Sequence, residues 1–225
     1  MFTEQKQEII DAGIALDRYG LISLSGGMMG YRMESGEILV SPSGMKYDHM
    51  VPDDVVVMDL DGNVIEGDRK PSSDTDAVLY IFKHRSDINA VIHTHQPYAT
   101  AVSLLGDDAF RVNVTTLGNV AGTHVPITPF SSAGSVEMGI DTVKYIGEAN
   151  AVILAHHGVM AVGPSMKKAL YTAVYMEDAA KTELAARAIG VKSFMTEEQV
   201  KQSADVFKYY GQDTAKIPRE LTERI

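Results

Sequence analysis

The sequence predicts an α/β fold: a single domain, residues 1–225, with a mostly antiparallel central sheet flanked by helices. Three observations carry that expectation. Short β-rich runs such as Asp54-Val-Val-Val-Met-Asp-Leu60 and Ala151-Val-Ile-Leu-Ala-His156 are interspersed with segments of helical period. The two kinds of segment mix without the regular spacing that repeated parallel βαβ units impose. With 45% apolar and 22% charged side chains, 225 residues suit one soluble domain with its own core, and no repeat or linker divides them.

The elements follow in order. Thr3–Arg18 reads as a helix, with Thr3 as its cap, Ile9, Ile10 and Ile14 on one face, and Gly20 as its stop. Glu37–Ser41 and Asp54–Leu60 read as strands, and Asp61-Gly62-Asn63 is a turn from which Val64 and Ile65 begin a return strand. Gly67–Ser73 is polar, contains Pro71 and reads as a loop. Thr75–Arg85 has Val78, Ile81 and Phe82 spaced for one apolar helical face. Asn89–His95 is the next strand, and a helix covers 99–105. Ser135–Ile146 is helical, and Ala151–His156 is a buried strand ending in histidines. Ser165–Ile189 is the longest helix, with Gly190 as its C-terminal cap. Thr196-Glu-Glu-Gln199 is a capping box that opens a last helix to about Tyr210.

Composition narrows the partners. Thirty acidic against 20 basic side chains leave a formal charge of −10, which argues against a nucleic-acid backbone as ligand. A single phosphate is still compatible, because amides and hydroxyls can cradle one within an acidic protein. With no cysteine, thiol nucleophiles, disulfides and thiolate-bound metals are excluded. The N-terminal residues show no signal peptide, and no apolar run approaches the ~20 residues of a bilayer span. The expectation is a cytoplasmic protein without a membrane partner.

Histidines carry the chemistry. His93 and His95 are two residues apart on a strand, so both project from one face and can grip one divalent ion. His156 and His157 end a second apolar strand; being adjacent they point to opposite sides, so only one can join the pair. Gly158 is expected to let the chain turn sharply there. Three neutral imidazoles with an open fourth position describe a catalytic zinc site. A lone His-x-His pair is more often structural, and only the second cluster balances that reading.

Lys70-Pro-Ser-Ser-Asp74 places two hydroxyls and a carboxylate just before a helix, where free amides favour an anion. Asp74 can cap that helix, act as a base or approach the metal; a plain cap by Ser73 or Asp74 is the simplest reading of the pentapeptide alone. Ser41-Pro-Ser-Gly44 is a second hydroxyl-rich turn. Ser25-Gly-Gly-Met-Met-Gly30 lacks a full Gly-x-Gly-x-x-Gly pattern and runs into strand-like Tyr31-Arg-Met33, so it reads as a tight turn with packed methionines, not a dinucleotide loop.

In their order and spacing, Ser41-Pro-Ser-Gly44, Lys70-Pro-Ser-Ser-Asp74, Ala90-Val-Ile-His-Thr-His95-Gln-Pro-Tyr98 and His156-His-Gly158 resemble the class II aldolase/adducin-head family, over nearly the whole chain from Gly20 to Tyr210. Within it the nearest likeness is to the L-fuculose-1-phosphate aldolases, with the L-ribulose-5-phosphate 4-epimerases as a sister branch. The resemblance implies a metal-dependent aldehyde-lyase that cleaves a phosphorylated ketose, such as L-fuculose 1-phosphate, into dihydroxyacetone phosphate and an aldehyde. It implies one Zn2+ or similar divalent ion per subunit, and a homotetramer of fourfold symmetry with active sites at subunit interfaces. It puts the metal ligands on His93, His95 and His157, the catalytic carboxylate on Asp74, and the phosphate loops on Ser43, Gly44, Ser72 and Ser73. It also puts on Tyr210 a tyrosine that reaches into the neighbouring subunit's site.

Three departures bear on substrate. Met28 stands where the family carries an asparagine in the glycine loop. Asp74, followed by Thr75 as in the epimerases, stands where the fuculose aldolases carry glutamate. The epimerases' own catalytic aspartate has no counterpart in Asn113-Val-Thr-Thr-Leu-Gly118. An epimerase, or a decarboxylase or dehydratase on the same scaffold, is the alternative; a non-catalytic adducin-like module would lack the histidines.

Overall fold

The strands carry two apolar faces, and that decides the layering. In the computed structural model, which describes residues 1–106, 109–190, 193–210 and 215–223, the strands are β1 (Met28–Arg32), β2 (Ile38–Val40), β3 (Val56–Met58), β4 (Val64–Glu66), β5 (Ala90–Thr94), β6 (Ala109–Arg111), β7 (His124–Thr128), β8 (Ala151–Leu154) and β9 (Gly158–Gly163). Among the described residues they form one sheet, ordered β4-β3-β2-β1-β5-β9-β8-β7-β6. The pair β7–β8 is parallel and the other neighbours are antiparallel, as the sequence predicts.

The helices are α1 (Thr3–Arg18), α2 (Thr75–His84), α3 (Pro97–Val102), α4 (Thr115–Ala121), α5 (Glu137–Tyr145), α6 (Met166–Ala188) and α7 (Glu197–Phe207). Side chains of a strand alternate between faces. Met29, Leu39, Ala90, Ile92, Val159 and Ala161 therefore pack with α1, α3, α4 and α6. Met28, Ile38, Val91, Val152 and Met160 pack on the opposite side with α2 and α5. On α6 the core-facing stripe is made of small or flexible residues, Ala169, Ala173, Met176 and Ala180, so the long helix lies close to the sheet.

Several expectations need correction. The elements β6, α4, β7 and β9 have no counterpart in the sequence reading; each is short, and β9 is bounded by Gly158 and Gly163. Thr3 does not cap α1: the N-cap is Phe2, at φ 56, with no side-chain bond, and its carbonyl accepts from the amide of Lys6 at 2.9 Å. The helix expected at 99–105 starts at Pro97, and Ser103–Leu105 is a 3-10 turn. Neither Ser73 nor Asp74 caps α2 through its side chain. The capping box at Thr196 and Gln199 forms as expected.

The turn between β8 and β9 is made differently from the expectation. His156, not Gly158, takes the left-handed conformation, at φ 61. Gly158 is the first residue of β9 and is required for another reason. A Cβ there would lie 2.0 Å from the Thr94 carbonyl oxygen and 3.3 Å from the Cα of His95. The absent side chain lets β9 close onto β5 where the histidines are carried.

Arg32 fastens the far end of α2. Its guanidinium donates to the carbonyl oxygens of Phe82, in the last turn of the helix, and of Arg85, Ser86 and Ile88 in the segment that follows. No helix among the described residues is long and apolar enough to cross a membrane.

Substituting Gly158→Ala tests the close approach. The backbones must separate or β5 must bend, at a cost of about 1–3 kcal/mol, the usual range for overpacking. The expected outcome is a clear drop in melting temperature of the metal-free protein; an unchanged melting temperature would show that the contact is not tight.

Candidate metal centre

His93 is fully buried on β5 and lies directly across from Met28 of β1 and Met160 of β9. Its Nδ1 is 3.0 Å from the carbonyl oxygen of Val159. A carbonyl only accepts, so Nδ1 carries the hydrogen and Nε2 presents a lone pair. A bond of this kind fixes the tautomer and ring orientation of a ligating histidine. Nε2 of His95 lies 3.2 Å from Nε2 of His93. The His157 ring stands 4.8 Å from the His93 ring and 5.1 Å from the His95 ring, centre to centre.

Each of the three histidines offers one nitrogen, and these nitrogens lie within 4.8 Å of one another. Nδ1 of His157 is buried without a hydrogen-bond partner among the described residues. Three converging imidazole nitrogens form a donor set suited to zinc and neighbouring transition metals. His156 is exposed, stands outside this group, and is held by its backbone amide, which donates to Ser103 Oγ at 3.0 Å.

Two of the three histidines are biased towards the neutral form. Burial pushes His93 down from 6.5 to about 3, helped by the neighbouring His157 and His95. His157 is also lowered, chiefly by burial and then by His95, against an upward pull from the carboxylate of Asp74. Neutral imidazole is the form that binds metal.

The glycine loop serves this site by packing. A Cβ on Gly27 would sit 2.6 Å from the His93 carbonyl oxygen, and one on Gly26 would sit 3.3 Å from Nδ1 of His95. Met28 and Met29, at 0% and 1% exposure, go to opposite faces of the sheet, so Met28 offers no polar contact to a ligand.

Asp74 stands at the start of α2, on the same side of the sheet as His93, and is largely buried. Its Oδ1 accepts from the backbone amide of Gly134 at 3.1 Å, in the segment leading to α5. The carboxylate is near enough to influence both His157 and the buried Tyr47. Burial, together with that charge, pushes the Tyr47 phenol up to about 12, so it stays protonated and donates to Ser41 Oγ at 3.2 Å.

The two serine turns lie side by side. Ser43 N donates to the Lys70 carbonyl at 2.9 Å and Ser72 N to the Ser41 carbonyl at 3.1 Å, a short antiparallel bridge around Pro42 and Pro71. Ser43, Gly44 and Ser73 are exposed and Ser72 is half-buried, its Oγ accepting from the Asp74 amide at 3.3 Å. The Arg69–Asp54 ion pair, at 2.7 Å, ties down the preceding loop. Gly134 packs against Ser73 as well as binding Asp74, a contact the sequence reading missed; the run Ser131-Ser-Ala-Gly-Ser135 was its available signal. Tyr210 stands apart in its contacts: it is 70% exposed and stacks on Phe207 at 5.1 Å, as simple packing would have it.

Residues 7–184 match the family described as Class II Aldolase and Adducin N-terminal domain. The chain is 34% identical over 213 residues to the 5-deoxy-D-ribulose 1-phosphate aldolase of Bacillus thuringiensis serovar kurstaki, covering 94% of this chain and 99% of that protein. It is 32% identical over 224 residues to an L-ribulose-5-phosphate 4-epimerase of Salmonella paratyphi C, covering 92% of this chain and 98% of that one. A solved structure titled L-fuculose 1-phosphate aldolase superposes with a TM-score of 0.86 at 30% identity, over 92% of this chain and 97% of the other.

The buried His93 gives a pH dependence with a definite sign. Above about 6.5 the ring is neutral in both folded and unfolded chains; below it the unfolded chain takes up a proton that the folded one refuses until about 3. Stability of the chelator-treated protein is therefore expected to fall on acidification through that window, by about 1.4 kcal/mol per pH unit for this residue. Melting curves of wild type and His93→Gln should show the shallower slope in the variant; equal slopes would show that His93 is not held neutral.

Proposed function

Because the chain belongs to the class II aldolase and adducin N-terminal domain family, we propose that it is a metal-dependent aldehyde-lyase that cleaves a phosphorylated ketose, such as L-fuculose 1-phosphate, into dihydroxyacetone phosphate and an aldehyde. The observation that carries the proposal is the convergence of His93, His95 and His157 within electrostatic reach of the Asp74 carboxylate.

Breaking a carbon–carbon bond beside a ketone leaves electron density on the ketone oxygen, as an enediolate. A divalent ion, zinc by this donor set, supplies Lewis-acid stabilisation of that charge when bound by the three histidines. The residues of the chain do the rest. Asp74, whose Oδ1 accepts from the Gly134 amide, exchanges the proton on the donor carbon in this reading. Ser43, Gly44, Ser72 and Ser73, joined by the bridge between their turns, anchor the phosphate through hydroxyls and amides and so orient the ketose. Tyr210, exposed near the end of α7, is available to a neighbouring subunit in a homotetramer, where its phenol exchanges the proton of the aldehyde-side oxygen. A chain without cysteine is compatible with a reducing, cytoplasmic setting.

One observation favours a second reading. Asp74-Thr75 follows the epimerase pattern, and a relative at 32% identity is named as a 4-epimerase. The same bond cleavage serves both reactions, so the product distinguishes them.

A screen of ketose phosphates for released dihydroxyacetone phosphate tests the proposal, and recovery of a 4-epimer instead would select the second reading. Asp74→Asn isolates the carboxylate, since the amide oxygen can still accept from Gly134. Metal content should be retained and turnover should fall by ~10²–10⁴-fold; near-normal turnover would leave Asp74 a structural role.

A further inference from the structure

The two histidine-bearing segments are joined by a short strut that is anchored at both ends. At one end, directly after His95, Gln96 is fully buried. Its Oε1 accepts from Thr94 Oγ1 at 2.6 Å, and its Nε2 donates to the Ala173 carbonyl of α6 at 2.9 Å. Pro97 then opens α3, whose first free amides, Tyr98 N and Ala99 N, donate to Oε1 and Oε2 of Glu177 at 3.1 and 3.0 Å. Glu177 is a carboxylate from the middle of α6, at 1% exposure. Burying a charge there is costly unless hydrogen bonds compensate it, and these two amides receive it.

At the other end α3 passes into the 3-10 turn at Ser103. The hydroxyl of Ser103 donates to the Thr100 carbonyl at 2.7 Å and accepts from the His156 amide at 3.0 Å. His156 is the residue at φ 61, a left-handed conformation that strains a non-glycine residue. Its neighbour His157 joins the cluster. A single rigid segment, Gln96 to Ser103, thus runs from the backbone next to His95 to the backbone next to His157.

We propose that Glu177, Gln96 and Ser103 are positioning residues that set the separation of His95 and His157, and with it the affinity and geometry of the metal site. The proposal rests on the reading of the three histidines as metal ligands. None of the three belongs to the histidine cluster; they act on it through α3. Glu177 holds the strut down at its start, and Ser103 holds the strained turn at its end. The third histidine, His93, is fixed independently by Val159, so loosening the strut moves two ligands relative to a stationary one.

Ser103→Ala is the mildest test, because it removes the acceptor for the His156 amide and little volume. Glu177→Gln is the test at the other end, since its NH2 group cannot accept from both amides. Thr182→Ala, on the exposed side of α6, serves as the control. Zinc affinity is measured by chelator competition, and the visible absorption of Co2+-loaded protein reports ligand geometry. Both positioning variants should bind zinc about 10–100-fold more weakly, the usual cost of losing an outer-shell support, with an altered cobalt spectrum. The control should match wild type in both.

A structural role alone would lower the melting temperature and leave affinity and spectrum unchanged in Ser103→Ala, and that result would overturn the proposal. Failure of Glu177→Gln to fold leaves the decision to Ser103→Ala. Absence of metal binding in wild type is a separate outcome: it would overturn the metal reading itself and this inference with it.

Discussion

The structure depends on how closely β5 and β9 approach at their histidine-bearing ends. That approach exists because residue 158 has no side chain to meet the Thr94 carbonyl. Once the strands close, the Val159 carbonyl comes within 3.0 Å of His93 Nδ1 and selects the tautomer that presents Nε2. The turn just before Gly158 then brings His157 over the same face as His93 and His95. Gly26 and Gly27 repeat the principle on the other side of β5, where a side chain on Gly27 would collide with the His93 carbonyl and one on Gly26 would crowd the His95 ring. Backbone proximity, made possible by glycine, builds this site before any functional contact is considered.

The second layer comes from the face of the sheet on which His93 lies. It is the face covered by α2, so the start of α2 and the turn before it are carried to the edge of the histidine cluster. Asp74 reaches that position as an N-terminal helix residue whose side chain is spent on Gly134 instead of on its own helix. The pairing of the turns at Pro42 and Pro71 places the hydroxyl-bearing residues on one continuous rim.

Much of this was legible in the sequence, for reasons that differ by element. The His-x-His spacing fixes two side chains on one face of any strand, so His93 and His95 needed no tertiary information. The hairpin at Asp61-Gly62-Asn63 and the capping box at Thr196 are local codes and formed as read. The choice between His156 and His157 depended on a turn whose left-handed residue is a histidine, which propensity does not anticipate. Strand β9 was hidden because Gly-Val-Met-Ala-Val-Gly is short, buried on both faces and bounded by glycines, and periodicity is silent on such runs. The contacts of Asp74 with Gly134 and of α3 with Glu177 join residues 60 and 79 or 78 positions apart, and no local pattern encodes them.

The central claim is that His93, His95 and His157 together hold one divalent ion. Anomalous diffraction from crystals of the zinc-loaded protein, collected on both sides of the zinc absorption edge, tests it most directly. The account predicts one strong zinc peak per chain, bonded to one nitrogen of each of the three histidines at ~2.0–2.1 Å. A zinc-loaded crystal with no peak there, or with its peak on His156, would contradict it.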